Sequence, residues 1–145
     1  MKFYVNARYL IVPLSSALTI LGILSGGLFA WFGVALFGLY TILDTVTKNI
    51  HLRADFDNDG DSYGLKPFQY GVMYLMLPIF IVLQLSLGLK LYEYTTSQTI
   101  VIPFTTIFPY EAGTDLLDLV GAILSTGLWA GLGIIYGHEL SHNRK

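Results

Sequence analysis

Cysteine is absent from this chain of 145 residues. Without cysteine, the chain forms no disulfides, no thiolate-bound zinc sites and no cysteine-ligated iron–sulfur clusters. Charged residues are also scarce, at 12% of the sequence, and the formal net charge of -2 provides no basic patch for nucleic acid. Histidine occurs only three times. Any metal bound by the chain would therefore depend on imidazole and carboxylate ligands.

Apolar residues make up 54% of the chain, and the mean hydropathy is +0.60, which is typical of a membrane protein. The long apolar runs predict an all-α, integral membrane helical bundle of four transmembrane helices, formed by residues 10–24, 28–43, 68–89 and 116–136. Ser25, Gly26 and Gly27 supply the break in a hairpin of the first two helices, and Pro78 predicts a kink in the third. Residues 94–112 are expected to form an interfacial or re-entrant loop.

Basic residues predict the orientation of this bundle, because lysine and arginine collect on the cytoplasmic side of short loops. Seven of the eight fall on one predicted side: Lys2, Arg8, Lys48, Arg53, Lys66, Arg144 and Lys145. Lys90 is the exception. The opposite side is acidic, with Glu93, Glu111, Asp115 and Asp118. No cleavable signal peptide is evident. We therefore expect a multi-pass protein of a bacterial-type inner (cytoplasmic) membrane with both termini in the cytoplasm.

The fourth apolar run leads into a His-Glu-x-x-His motif that contains His138, Glu139 and His142. Residues four apart share one face of a helix, so both imidazoles can bind a single metal centre while Glu139 points elsewhere. Zinc metalloproteases contain the same motif, in which both histidines bind zinc and the glutamate is the general base. A third interpretation has no metal and makes the histidines interfacial residues at a helix C-terminus, where positive charge is favoured. The motif alone leaves all three interpretations open.

The glycine-rich helix before the motif, which includes Gly131, Gly133 and Gly137, makes this region resemble the integral-membrane alkane hydroxylases. That family belongs with the membrane fatty-acid desaturases, and its first histidine box has the form His-Glu-Leu-x-His followed by a basic residue. Here the box is His138 to His142, with Arg144 and Lys145 just beyond it. The predicted hairpin, the cytoplasmic loop that opens near Asp44 and the third and fourth helices also resemble the N-terminal part of these enzymes.

The resemblance implies a centre of two non-haem iron ions that hydroxylates the terminal methyl group of an alkane or related alkyl substrate with O2. It also implies electron delivery by a rubredoxin-type donor. His138 and His142 are the expected metal ligands, and Glu139 and Asp44 are candidates for supporting them through hydrogen bonds. The later histidine boxes of the family are missing from the sequence. We therefore expect residues 1–145 to be the N-terminal part of a longer chain, inactive alone, rather than a membrane zinc protease or a small non-enzymatic membrane protein.

Residues outside the motif give weaker signals. The run from Asp55 to Asp61 begins like an EF-hand calcium loop, but Lys66 stands where the bidentate glutamate should be, so a solvated acidic turn is the simpler interpretation. His51 is expected to face solvent. Gly127 and Gly131 would leave room for an alkyl chain. Eight aromatic residues of the second and third helices are expected to pack or face lipid rather than line a channel: Trp31, Phe32, Phe37, Tyr40, Phe68, Tyr70, Tyr74 and Phe80.

Overall fold

The computed structural model describes residues 10–47, 66–100 and 114–142. In chain order these residues form α1 (Ile11–Ser25), a 3-10 helix (Gly27–Trp31), α2 (Phe32–Thr47), α3 (Lys66–Thr96) and α4 (Leu116–His142). No strand occurs in these three ranges. The all-α class predicted from the sequence is therefore confirmed.

The break between the first two helices lies where the glycine pair predicts it. Gly26 and Gly27 have φ angles of 79° and 56°, a left-handed conformation that glycine adopts without steric cost. Gly26 N–H donates to the carbonyls of Gly22 and Ile23 and so closes α1. Residues 27–31 then form a 3-10 helix, so the second α-helix begins at Phe32 rather than at residue 28. The predicted break between two helices is confirmed, with this later start of the second helix.

Helix α3 is longer than the apolar run that predicts it. It extends to Thr96, whereas the sequence suggested an end near residue 89, and it does not stop at Pro78. The predicted end near residue 89 and the placement of Tyr94 in a loop were therefore wrong, because Lys90, Glu93 and Tyr94 all lie in α3. Lys90 Nζ lies 2.8 Å from Glu93 Oε2, one turn along the same helix, so each charge is compensated without leaving the helix.

Helix α4 begins at a capped end and continues through the histidine motif. Asp118 N–H donates to Asp115 Oδ1 at 2.8 Å, so Asp115 satisfies one of the donors that every helix N-terminus leaves open. The sequence predicted an apolar span to about residue 136 that continues into the motif as one helix, and α4 does run to His142. Both histidines of the motif are consequently helical.

The centre of the bundle lies where α1, the 3-10 helix, α3 and α4 meet. Its buried apolar residues come from all four of these elements: Ile20, Ile23, Ala30, Leu83, Ala122 and Trp129. Within the described ranges, two segments are long and apolar enough to cross a membrane, Tyr70–Thr96 and Leu116–Ile134. Ile11–Ser25 and Gly27–Leu43 are apolar but shorter. Two potential spans are therefore present in the structure, where the sequence predicted four.

Candidate metal site

The candidate site is the C-terminal end of α4, which carries His138 and His142. Both residues belong to the continuous helix Leu116–His142, so their spacing of four residues puts them one turn apart on one face. His138 is exposed. The side chains of Glu139 and His142 lie outside the described part of the structure. The helix thus supplies the arrangement that two imidazoles need to approach one metal ion from the same side.

The described residues do not assemble a complete ligand set at this end of α4. Within residues 10–47, 66–100 and 114–142, no three histidine, aspartate or glutamate side chains lie together as a metal-binding group. Asp44 is in the last turn of α2, and its side chain is outside the described set. His51 and the acidic run from Asp55 to Asp61 also lie outside it. A metal at His138 and His142 would need further ligands, because two imidazoles do not fill a catalytic coordination sphere.

Helix α4 has two different sides along its length. Trp129 is buried in the bundle, whereas Gly127, Gly131 and Ile134 are exposed. A methyl group placed on Gly127 or Gly131 would have no neighbour within 4 Å. His138 follows Ile134 by one turn and lies on the same side as these residues. The space expected at the two glycines is therefore present, on the side of α4 that the other described helices leave uncovered.

The aromatic residues divide between packing and exposed positions. Trp31 lies against Gly121, and Phe80 lies against Gly133, where an added Cβ would come within 2.6 Å and 2.4 Å of the respective rings. Phe37 meets Trp129 edge to face, with ring centroids 6.4 Å apart. Tyr40, Phe68 and Tyr74 are exposed. Trp31, Phe37 and Phe80 are therefore packing residues, and the lipid-facing role of the exposed aromatic residues stays a prediction.

Sequence reasoning missed two sets of polar contacts, one around Glu93 near the end of α3 and one between α4 and the hairpin. Glu93 Oε1 accepts from the backbone N–H of Ile100 at 2.8 Å, and Glu93 Oε2 accepts from Lys90 Nζ and from Thr114 Oγ1 at 2.7 Å. Ser125 and Trp129 of α4 donate to backbone carbonyls of the hairpin. In the sequence, the spacing of Ser125 and Trp129 shows only that they share one face of α4 and does not indicate their hydrogen-bond partners.

Known protein families, curated proteins and solved structures were compared with the chain and its fold, and none matches. The geometry of α4 and the residues of the histidine box are thus the basis for a functional assignment.

Proposed function

We propose that this chain is part of a non-haem di-iron membrane monooxygenase of the alkane hydroxylase type. The observation that carries the proposal is the pair His138 and His142, one turn apart at the end of a helix whose first nineteen residues are apolar enough to cross a membrane. Imidazole nitrogens suit iron, and a site at the end of a membrane helix can receive a substrate dissolved in the lipid. His138 and His142 would hold part of the iron centre.

The distribution of polarity supports a membrane location for the whole bundle. Large apolar side chains cover its outside, including Leu28 and Ile134, which are 79% and 76% exposed. Polar side chains are found within it: Ser16, Thr19, Ser25, Ser86, Lys90, Glu93, Ser125 and Thr126. In water the exposed apolar surface would be unfavourable, whereas lipid contacts it without cost. Serine and threonine at helix contacts are typical of membrane bundles.

We propose that α1 and the following segment also cross the bilayer, which gives four spans with the histidine box in the cytoplasm. At 1.5 Å per residue, α1 is about 22 Å long and falls short of a hydrocarbon core of about 30 Å. Local thinning of the bilayer accommodates a short span at modest cost. Lys90, the exception to the charge rule, is paired with Glu93 and only 2% exposed, so it does not present an open charge on the outer side.

Each part of the chain has a role in the proposed enzyme. When bound, the two iron ions would supply the chemistry that activates O2 for hydroxylation of a terminal methyl group. His138 and His142 would hold iron, and Glu139 and Asp44 would orient the ligands through hydrogen bonds. The apolar helix faces would bind an alkane or alkyl substrate by burial alone, and a rubredoxin-type protein would deliver electrons. Two imidazoles do not complete such a centre, so it would need further ligands besides His138 and His142.

Metal titration tests the site directly. The chain in lipid nanodiscs would be titrated without oxygen with Fe(II), and in parallel with Zn(II), using calorimetry. We expect His138→Ala and His142→Ala each to abolish binding, because one imidazole alone holds a divalent metal weakly. His51→Ala is the matched control, since it removes the third histidine and should leave binding unchanged.

The titration also separates the proposal from its rivals. Equal binding by the wild type, His138→Ala and His142→Ala would contradict the site. Binding of Zn(II) but not Fe(II), with cleavage of a peptide that Glu139→Gln abolishes, would instead support a zinc protease. Binding of neither metal would contradict the proposed centre and favour the interpretation of a membrane protein without a metal.

A further inference from the structure

Two side chains of α4 bind the backbone of the hairpin where the 3-10 helix passes into α2. Ser125 Oγ donates to the carbonyl of Ala30 at 2.7 Å and accepts from the N–H of Val34 at 3.3 Å. Trp129 Nε1 donates to the carbonyl of Gly33 at 2.9 Å. We call these contacts to residues 30–34 the hairpin clamp. It joins two side chains of one helix face to three backbone groups of another part of the chain.

The clamp lies at a point where the backbone needs partners. Ala30 C=O and Val34 N–H are separated by four residues, the spacing that pairs directly in a regular α-helix, and the Ser125 hydroxyl bridges them. The first N–H groups of a helix have no partner within it, and in a dry interior such groups are costly unless they are satisfied. Ser125 meets this need from a different helix.

The hydrogen bonds of the hairpin clamp are possible because the helices approach each other closely at this point. A Cβ on Gly33 would lie 2.6 Å from Thr19 Cγ2 and 2.7 Å from Ser125 Cβ, so glycine is required where α1, α2 and α4 meet. Trp129 is buried beside this point and contacts Phe37 edge to face. The clamp is therefore shielded, and its hydrogen bonds do not compete with water.

Contacts at two positions one turn apart fix both the rotation of a helix and its displacement along its axis. His138 is nine residues after Trp129, which places it about 13 Å further along the helix and rotated by about 180°. The clamp thus holds Trp129 towards the hairpin and turns the His138 position away from it, to the exposed side of α4. This agrees with the burial of Trp129 and the exposure of His138.

We infer that Ser125 and Trp129 are positioning residues, which set the depth and direction at which His138 leaves the bundle. The functional value of this position rests on the proposed function. The position itself can be measured without any metal, so a failure of the metal proposal and a failure of this inference give different results.

Because the chain contains no cysteine, a single introduced cysteine can be labelled specifically. His138→Cys would be labelled with a nitroxide in nanodiscs, and its collision rates with oxygen and with a water-soluble chromium complex would give its depth. Adding Ser125→Ala or Trp129→Phe should change the ratio of these rates several-fold, because each removes part of the clamp while keeping most of the packing. Trp31→Phe is the matched control, since this indole meets α4 at Gly121 by packing.

The outcomes separate positioning from simple stabilisation. A shift in depth with Ser125→Ala or Trp129→Phe, and none with Trp31→Phe, supports the inference. An unchanged depth in both clamp variants, with a lowered unfolding temperature, overturns it and makes the two residues merely stabilising. If Trp129→Phe does not fold, Ser125→Ala alone decides between these results, because it removes one hydroxyl and no ring.

Discussion

The two ends of α4 are held in different ways. At its N-terminal end, Asp115 caps the first turn, and Thr114 donates to Glu93, which is itself paired with Lys90. Towards its C-terminal end, Phe80 packs on Gly133, and Ile134 and His138 beyond it are exposed. One end is fixed by directional hydrogen bonds and buried charge, and the other by the fit of a ring against a glycine.

This difference indicates that the two ends of α4 have different roles. Buried charges with several partners resist change, because removal of one partner leaves the others uncompensated. Packing against a glycine brings helices close but leaves the outward face of the helix open to other partners. Among the described residues, the end of α4 that carries His138 is therefore the end with exposed side chains, such as Ile134 and His138.

The largest expected effect concerns the membrane sides on which the two ends lie. Single cysteines would be introduced at Leu116, the exposed first residue of α4, and at His138. In intact cells, a membrane-impermeant maleimide should label Leu116→Cys, whereas His138→Cys should react only after the cells are opened, since α4 is proposed to cross the bilayer. Labelling of both cysteines in intact cells would contradict the crossing. The cysteine-free chain is the blank.

Glu93→Ala should cause the next largest effect, because Glu93 of α3 holds Thr114 at the N-terminal end of α4. Glu93 is 3% exposed and accepts from Lys90, Ile100 and Thr114, so its loss leaves a buried ammonium group and two donors without this acceptor. We expect a loss of about 3–5 kcal/mol in the free energy of unfolding. Titration of the protein in mixed micelles with dodecyl sulfate measures it.

A double variant checks the electrostatic cause of that loss. In Lys90→Met with Glu93→Leu, no buried charge remains, so much of the stability should return despite the missing hydrogen bonds. A double variant as unstable as Glu93→Ala would instead attribute the loss to the contacts with Ile100 and Thr114.

The contacts of Glu93 also show which parts of the fold can be predicted from the sequence and which cannot. Long uncharged runs and the Gly26–Gly27 pair were enough to predict the helices and their break, because both are local properties. Lys90 and Glu93 were placed beyond the end of the third helix, because a charge in an apolar run indicates a helix end unless its partner is known. Part of that partner set, Thr114, lies 21 residues away in sequence from Glu93. Such contacts depend on the tertiary arrangement and leave no local pattern.

The candidate site shows the same limit. The spacing of His138 and His142 predicted that one helix would carry both, and α4 does so. The partners of Ser125 and Trp129 could not be predicted, because Ala30 and Gly33 contribute backbone carbonyls, which any residue type possesses. The side chains of Asp44, Glu139 and His142 lie outside the described residues, so their predicted roles remain predictions.

Gly133→Ala should give the smallest of these effects, near the C-terminal end of α4, where Phe80 packs on Gly133. The new Cβ would lie 2.4 Å from Phe80 Cε2, so the ring or the helix must move. Overpacking of this kind costs about 1–3 kcal/mol in the free energy of unfolding, measured by the same titration. Gly131→Ala is the matched control, because a methyl group there meets nothing within 4 Å, and it should be neutral or slightly stabilising. Phe80→Leu in the Gly133→Ala background should recover stability by removing the ring atoms that clash. Equal stability of the Gly131→Ala and Gly133→Ala variants would mean that the ring does not hold this end of α4, and the contrast between its two ends would then rest on the polar contacts alone.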